Sequence, residues 1–279
     1  MDTVPTTIPL NYTTIKTTRS RIDKGLLAIP VSLVDWFPKE NGSIYIVSKD
    51  GTAKRHSFTT YSSSTRECRI GGMKQFYADY QMQDGDELVL QKFDNDTFRL
   101  IPEKSFNQQY QQSLSLFENS TDDETVQKAL EKVKKIANID SAAVLENEFI
   151  KLANIEGAPE RKIRETTHTS RRETVPPYLR KILLSVYEGK CQITQFTFLK
   201  RDGNPYFELH HIVPEWGNHI KNLLVVCPNV HAQFTHANAV PYFDKEDGWL
   251  RQVSFNGTFH NVFQKIDVLQ KTFTKEVHY

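Results

Sequence analysis

The chain has 279 residues, of which 38% are hydrophobic and 11% aromatic, and its net charge is +1. This composition supports globular cores and two modest domains, and no apolar run reaches the roughly 18 residues that a membrane span needs. The three cysteines are too few and too widely spaced for a disulfide framework, and the N-terminus lacks the regions of a signal peptide. The sequence therefore predicts a cytoplasmic protein that is not embedded in a membrane.

The near-neutral net charge conceals an uneven distribution of charged residues. Residues 13–75 carry 11 Lys/Arg against 5 Asp/Glu, whereas residues 76–160 carry 8 against 17. Residues 160–201 are basic again, with 10 against 4. Two basic segments are typical of surfaces that meet a polyanion, but ordinary solvated surface explains the charge pattern equally well.

The first hundred residues predict a β-rich domain. Short runs of β-branched and aromatic residues alternate with turn signals over residues 10–101, a spacing typical of a barrel or a sandwich. The turn signals are Asn41-Gly42, Asp50-Gly51, Gly71-Gly72 and Asp84-Gly85. Residues 31–37 and 72–80 predict short helices between the strands.

The middle of the chain predicts helices bounded by two linkers. Residues 103–120 are rich in Gln, Ser and Asn and predict a linker. Thr121, with Glu124 three residues later, forms a capping-box signature, and apolar residues follow at helical spacing. A second helix is predicted over residues 141–155, and the polar, basic residues 157–175 predict another linker.

Residues 191–240 contain the side chains that are suited to catalysis, and a predicted helix comes before them. Pro176 and Pro177 precede a predicted helix that ends at Gly189. The run FELHHIVP predicts a strand with two adjacent histidines, His210 and His211, and KNLLVVCPNVHAQFTHA predicts a loop leading into a helix.

The histidines of this segment fit phosphodiester hydrolysis. Neighbouring strand residues point to opposite faces, so one of the pair His210 and His211 would face a metal and the other a substrate. Asn222 follows His211 by eleven residues, and His231 follows Asn222 by nine. Hydrolysis needs a cation on the phosphate and a base for water, and imidazole serves both purposes. The alternative explanation is a histidine pair in the core of a small α+β domain.

Over residues 178–240 the chain resembles the HNH (ββα-metal) endonuclease family. The matching features are the first helix, the Cys-Gln-Ile-Thr turn, the His-His-Ile-Val-Pro strand, Asn222-Leu223 and Cys-Pro-Asn-Val-His. The resemblance implies a β-hairpin and a helix around one divalent metal ion, with His210 and His231 as metal ligands. It implies His211 as the general base and Asn222 as the catalytic-site residue that braces the loop and orients the base. The expected ion is Mg²⁺, with Mn²⁺ or Ni²⁺ as alternatives.

The family's structural zinc is not expected in this chain. Many HNH proteins bind it through two Cys-x-x-Cys pairs, but here the corresponding pairs are Cys191 with Thr194 and Cys227 with Val230. Only two thiolates remain where a structural zinc has four ligands. We predict no structural zinc, with both cysteines acting as small buried residues.

Residues 13–101 resemble the B3-like DNA-binding pseudobarrel. The matching pieces, in order, are GLLAIP (25–30), WFP (36–38), GMKQF (72–76), GDELVL (85–90) and FRL (98–100). In that fold two loops enter the major groove, and by position they are residues 17–24 and 62–69. Arg binds guanine edges bidentately, Ser and Thr reach phosphates or bases, and Glu67 is a candidate cytosine reader. The candidate DNA-binding residues are Thr18, Arg19, Ser20, Arg21, Lys24, Ser64, Arg66, Glu67 and Arg69. Solvated turn residues are the alternative explanation.

The combined expectation is an α+β protein with a B3-like β-pseudobarrel (residues 1–105), a helical linker or dimerisation region (106–175) and a ββα-metal (HNH) nuclease domain (176–279). It predicts a sequence-specific, metal-dependent endonuclease of the type II-like restriction class, acting on double-stranded DNA as a homodimer. The alternatives are a DNA-binding protein with a non-catalytic HNH remnant and a nicking or RNA-directed HNH nuclease. Loops that suit the DNA major groove favour duplex DNA over RNA.

Overall fold

A computed structural model describes residues 12–47, 51–61, 67–155 and 175–269. Within these ranges the chain divides into two compact units. The first unit extends to residue 113 and includes residues 135–138, and the second contains residues 114–134 and those from 139 onward. The region predicted as a linker, 106–175, is therefore shared between the two units.

The first unit is built on a seven-stranded sheet. Its strands are β1 (Thr13–Lys16), β2 (Leu27–Ile29), β3 (Gly42–Val47), β4 (Ala53–Thr59), β5 (Cys68–Ile70), β6 (Glu87–Lys92) and β7 (Thr97–Pro102). The spatial order is β1-β6-β7-β3-β4-β5-β2, and all neighbours are antiparallel except the parallel pair β3 and β7. Alternating apolar side chains such as Ile44, Ile46 and Phe98 form its core. The mixed α+β character and the β-rich first hundred residues are confirmed.

Two short helices lie among these strands, α1 (Arg19–Lys24) and α2 (Lys74–Asp79), and a 3-10 turn spans Val31–Trp36. Gly25 ends α1 with a φ of 64°, where a Cβ would lie 2.4 Å from Cγ of Lys74. A side chain at position 25 would therefore separate α1 from α2. The backbone N–H of Met73 donates to the carbonyl of Gly25 at 2.9 Å, which holds the two segments together.

The predicted linker over residues 103–120 was wrong, because the structure has a helix there, α3 (Glu103–Glu118). Phe106, Tyr110, Leu114 and Phe117 recur at intervals of four, four and three, and each is at most 1% exposed. This helical stripe lies within a polar composition that suggested a linker, and the periodicity is the stronger signal.

The next two helices were predicted, with one change at the start of the first. They are α4 (Asp123–Ala137) and α5 (Ser141–Ala153). The capping box lies one residue later than expected: the N–H of Thr125 donates to Oδ1 of Asp122 at 2.8 Å, and the N–H of Asp122 donates to Oγ1 of Thr125 at 3.3 Å. The carboxylate of Asp122 therefore takes the capping position expected for Thr121.

The rest of the second unit combines helices with three small sheets. Its remaining helices are α6 (Pro177–Tyr187) and α7 (Pro228–His236), and its strands are β8 (Phe198–Leu199), β9 (Pro205–Tyr206), β10 (Glu208–His211), β11 (Leu223–Val226), β12 (Ala239–Phe243), β13 (Leu250–Phe255) and β14 (Thr258–Asn261). The pairings are β8-β9, β10-β11 and β12-β13-β14. No helix of the described ranges is long and apolar enough to pass through a bilayer.

A buried amide connects three segments of this unit. The side chain of Gln192 accepts from the N–H of Val225 at 2.8 Å and donates to the carbonyl of Phe263 at 3.0 Å. Its backbone N–H donates to the carbonyl of Val225 at 2.9 Å. Because Gln192 is only 1% exposed, these bonds are made away from water and fix the turn at residues 191–195 against β11.

Candidate nuclease site and candidate DNA-reading surface

A β-hairpin followed by a helix places the predicted histidines. Strands β10 and β11 pair antiparallel, with His210 opposite Leu224 and His211 opposite Leu223. Helix α7 begins at Pro228, two residues after β11 ends. The apolar residues of β11 are fully buried, so the hairpin is anchored on one side while β10 carries polar side chains.

His210 and His231 come together although they lie 21 positions apart. Their ring centroids are 5.2 Å apart, and the ring of His210 also stacks on Phe234 at 4.2 Å. Burial, together with the neighbouring His231 and His211, lowers the pKa of His210 to about 4. His210 is therefore a neutral imidazole at neutral pH, which is the form that binds a metal.

A carboxylate that the sequence analysis did not single out fixes the ring of His231. Glu208 Oε2 forms a short hydrogen bond with Nδ1 of His231, and the hydroxyl of Tyr206 donates to Glu208 Oε1 at 2.7 Å. Burial raises the pKa of Glu208, but the bonds from His231 and Tyr206 outweigh it and leave the pKa below its usual value. The Nδ1 proton of His231 then points at Glu208, and Nε2 keeps its lone pair for a ligand.

The ring of His211 is also held, and the partner is Asn218. The Nε2 atom of His211 lies 2.9 Å from Oδ1 of Asn218. An amide oxygen only accepts hydrogen bonds, so Nε2 carries the proton and Nδ1 is the basic nitrogen. A general base needs an unprotonated nitrogen of this kind, because it must accept a proton from water.

Asn222 braces the loop between β10 and β11. Its Oδ1 accepts from the N–H of Val213 at 2.8 Å, and its Nδ2 donates to the carbonyls of Val213 and Gly217, each at 2.8 Å. Asn222 is 0% exposed, so it positions the loop and does not itself touch a substrate. The braced loop contains Asn218, which in turn holds His211.

The positions of the family's zinc ligands form part of an apolar core. Cys191, Cys227 and Val230 pack in one buried cluster, and the hydroxyl of Thr194 lies 3.8 Å from Sγ of Cys227. Burial raises the pKa of Cys191, but hydrogen bonds from the side chain and backbone of Thr194 outweigh it and lower the pKa. Two thiols, a hydroxyl and an isopropyl group do not make the four-ligand set of a structural zinc. No group of three or more His, Cys, Asp or Glu side chains suited to a metal ion occurs within the ranges that the structure describes.

In the first unit, four candidate DNA-binding residues lie in a helical turn. Residues 17–24 were expected to form a loop, but Arg19–Lys24 is the short helix α1, preceded by Thr18. The side chains of Thr18, Arg19, Ser20 and Lys24 are exposed. The backbone N–H of Arg19 donates to Oδ1 of Asp84 at 2.7 Å, which fixes the start of this helix.

The second predicted DNA-binding segment meets the first through one carboxylate. Glu67 bonds to Nη2 of Arg21 at 2.8 Å and to Nε of Arg69 at 2.7 Å. Burial raises the pKa of Glu67, and the two arginines outweigh it and lower the pKa. Glu67 thus pre-orients two guanidinium groups, and its assignment as a cytosine reader stays a prediction. Ser64 and Arg66 lie outside the described residues.

Comparisons with known proteins give only weak similarities. No protein-family model matches the chain, and no curated protein matches it. Among solved structures, the chain is similar to an Arabidopsis FUS3–DNA complex (TM-score 0.29, 14% identity, 33% of this chain and 96% of that one). It is also similar to a hypothetical Arabidopsis thaliana protein (TM-score 0.27, 18% identity, 33% of this chain and 87% of that one). A third similarity is to the N-terminal domain of Helicobacter pylori LlaJI.R1 (TM-score 0.25, 13% identity, 31% of this chain and 76% of that one). These similarities cover at most 33% of the chain.

Proposed function

We propose that this protein is a metal-dependent endonuclease that cuts double-stranded DNA, with its HNH-type site on β10, β11 and α7. The observation that carries the proposal is the convergence of three histidines with different partners. His210 and His231 have ring centroids 5.2 Å apart, and His211 has its Nε2 atom fixed by Asn218. A buried structural pair of histidines does not require a third, separately oriented imidazole on the same strand.

The two imidazoles fit a divalent metal ion as ligands. Imidazole nitrogens bind zinc at about 2.0–2.1 Å, and two rings whose centroids are 5.2 Å apart are close enough to share one ion at about that distance. His231 would bind through Nε2, because its Nδ1 is engaged by Glu208. A bound ion, with Mg²⁺ expected and Mn²⁺ or Ni²⁺ as alternatives, would neutralise charge on the scissile phosphate and on the leaving oxygen.

His211 acts on the attacking water. Its Nδ1 accepts a proton from that water as the water oxygen forms a bond to phosphorus. The bond from phosphorus to the 3′ oxygen then breaks, and the 3′ oxygen takes a proton from solvent, leaving a 5′-phosphate. Asn218 keeps the proton of His211 on Nε2 throughout, and Asn222 keeps the loop that carries Asn218 in place.

The first unit would supply sequence recognition as a B3-like domain. Its exposed residues Arg19 and Lys24 suit phosphate contacts, and the pair Arg21 and Arg69, clamped by Glu67, suits guanine edges. One HNH site cuts one strand, so a double-strand break needs two protomers or two events. A homodimer on a palindromic site, as in a restriction–modification system, is the simplest arrangement.

Supercoiled plasmid is the substrate that tests the proposal. Wild-type protein with Mg²⁺ is expected to convert it to linear DNA, and EDTA is expected to stop the reaction. Re-addition of Mg²⁺, Mn²⁺ or Ni²⁺ should restore cutting and rank the metals. Binding without cutting under every metal would instead favour the non-catalytic alternative, and cutting of phage RNA alone would favour an RNA-directed enzyme.

Replacement of Glu208 with alanine is expected to weaken metal binding at the nuclease site about 10- to 100-fold, because His231 loses the partner that sets its tautomer. Calorimetric titration with Mn²⁺ measures this directly, independently of cleavage. The Mn²⁺ affinity of Glu208→Gln should lie between those of wild type and Glu208→Ala, because the amide oxygen of Gln still accepts a hydrogen bond from Nδ1 of His231. The exposed Glu246→Gln is the matched control, and equal affinities for all four proteins would contradict the assignment.

Removal of two cations from α1 is expected to lower DNA affinity in a salt-dependent way. Arg19→Ala with Lys24→Ala should reduce the slope of log affinity against log salt by about 1.8, since each phosphate contact contributes about 0.9. The control is Lys128→Ala with Lys132→Ala, which removes the same charge from the exposed face of α4. Equal slopes for the two double variants would place the DNA-reading surface elsewhere.

A further inference from the structure

A hairpin next to the nuclease site exposes an unusual amount of apolar surface. Strands β8 and β9 form this element, called here the aromatic hairpin (residues 196–206). Phe196, Phe198 and Leu199 are 53%, 44% and 66% exposed. Single exposed apolar residues are ordinary, but three within four positions on one two-stranded element mark a contact surface.

Two rings of the hairpin are already stacked, and a third lies tilted beside them. Phe198 pairs with Tyr206 across the strands, with ring centroids 5.1 Å apart and an interplanar angle of 18°. Phe196 lies 6.1 Å from Phe198. Tyr206 covers one side of the Phe198 ring, while Phe198 remains nearly half exposed. A flat partner can therefore extend the stack at modest entropic cost, since the rings are held in place beforehand.

Hydrogen bonds connect this stack directly to the metal-ligand side of the site. The hydroxyl of Tyr206 donates to Glu208 at 2.7 Å, and the same carboxylate bonds to His231. Phe198 therefore stands two side chains away from a proposed metal ligand. DNA whose scissile phosphate binds an ion held by His210 and His231 would have its neighbouring nucleotide on the side of the site that Glu208 and Tyr206 connect to this hairpin.

The turn of the hairpin adds positive charge. Lys200 and Arg201 are both exposed, and the turn is closed by the N–H of Lys200 donating to the carbonyl of Asn204 at 2.8 Å. Lys200 bonds to Asp202 at 3.0 Å, but an exposed pair of this kind contributes little and exchanges readily for a phosphate. Apolar rings flanked by cations are complementary to a nucleic acid strand, whose bases and sugars are flanked by phosphates.

We propose that the aromatic hairpin binds duplex DNA beside the cleaved phosphodiester. Phe198 packs on the sugar or base of the neighbouring nucleotide, and Lys200 and Arg201 contact the adjoining phosphates. This inference rests on the proposed nuclease function for its location. DNA binding also accounts for the exposure of the rings. Stacking of Phe198 on Tyr206 would stabilise the hairpin equally well if another segment of the protein covered the rings.

The test introduces a photoreactive benzophenone side chain at position 198 of the full-length protein and irradiates it with labelled duplex DNA. A cross-link is expected at position 198. The matched control carries the same side chain at Phe259, which is 58% exposed and lies 5.4 Å from Tyr242 in the same unit. No cross-link is expected there. In parallel, Phe198→Ala should weaken duplex binding about tenfold or more, whereas Phe259→Ala should not change it.

Two controls distinguish a loss of folding from a loss of DNA contact. Phe198→Leu keeps most of the apolar volume but removes the ring, and the thermal unfolding midpoint of every variant is measured. If the wild type cuts plasmid and position 198 gives no cross-link, the inference is overturned and the nuclease stands. If position 198 cross-links to DNA that the wild type never cuts, the contact of the hairpin with DNA stands, whereas the nuclease function and the location beside a cleaved phosphodiester are overturned. If neither cutting nor cross-linking occurs, both are overturned, and cross-linking to single strands but not to duplex overturns the duplex form of the inference.

Discussion

Replacement of His211 with alanine is expected to reduce DNA cleavage by about 10²- to 10⁴-fold while leaving DNA affinity near that of the wild type. The reason is that Nδ1 of His211 is the nitrogen positioned to take a proton from water, since Nε2 is engaged by Asn218. The proposed role of His211 is in proton transfer and not in phosphate binding. Single-turnover cleavage of a plasmid, with binding measured in EDTA, separates the two effects.

His260→Ala is the matched control, because His260 lies on β14 in the same unit and carries no proposed role. It should cut at the wild-type rate. Undiminished cutting by His211→Ala would remove the general base from the scheme. Loss of DNA affinity in parallel with cleavage would instead indicate a folding or docking role for His211.

Replacement of Asn222 with alanine is expected to lower the free energy of unfolding by about 2–4 kcal/mol, because it removes the side-chain partner of the buried Gly217 carbonyl and of the partly buried N–H and carbonyl of Val213. The structure gives Asn222 three hydrogen bonds of 2.8 Å and no exposure. Cleavage should fall as well, since the freed loop carries Asn218. Urea unfolding and cleavage below the unfolding midpoint measure the two effects.

Asn222→Asp sharpens this test. It keeps the acceptor for the N–H of Val213 but sets a carboxylate oxygen against two carbonyl oxygens, so it should destabilise at least as much as Asn222→Ala. The control is Asn261→Ala, which removes a surface amide that accepts a hydrogen bond from Gln252 at 2.9 Å. This change should lower the free energy of unfolding by less than about 1 kcal/mol. Similar free energies of unfolding for Asn222→Ala and Asn261→Ala would show that the side chain of Asn222 does not brace the loop.

Elements with strong local signals could be predicted from the sequence, and α3 shows where composition misled. The pattern of turns over residues 41–85 predicted short strands, and paired prolines marked the start of α6. Over residues 103–120, polar composition hid the periodic residues Phe106, Tyr110 and Phe117. The spatial order of the seven strands, including the parallel pair β3 and β7, depends on pairings between distant segments that no local pattern reports.

At the candidate site, the sequence motif identified the histidines but not the residues that orient them. Alternation along a strand places Tyr206, Glu208 and His210 on one face, so this signal was available for Glu208. Nothing comparable pointed to Asn218, whose contact with His211 depends on the conformation of the loop braced by Asn222. Partners in loops depend on backbone path, whereas partners on strands follow from spacing.

The buried amide of Gln192 has a consequence for handling the protein. The turn at residues 191–195, strand β11 and the segment at Phe263 are joined by hydrogen bonds from one side chain. A chelator does not remove these hydrogen bonds, so removal of the proposed metal ion should leave this unit folded and able to bind an ion again. Different ions can then be loaded into one preparation of the folded protein, and the unfolding temperature should change only by the amount that each ion's affinity for the folded state adds.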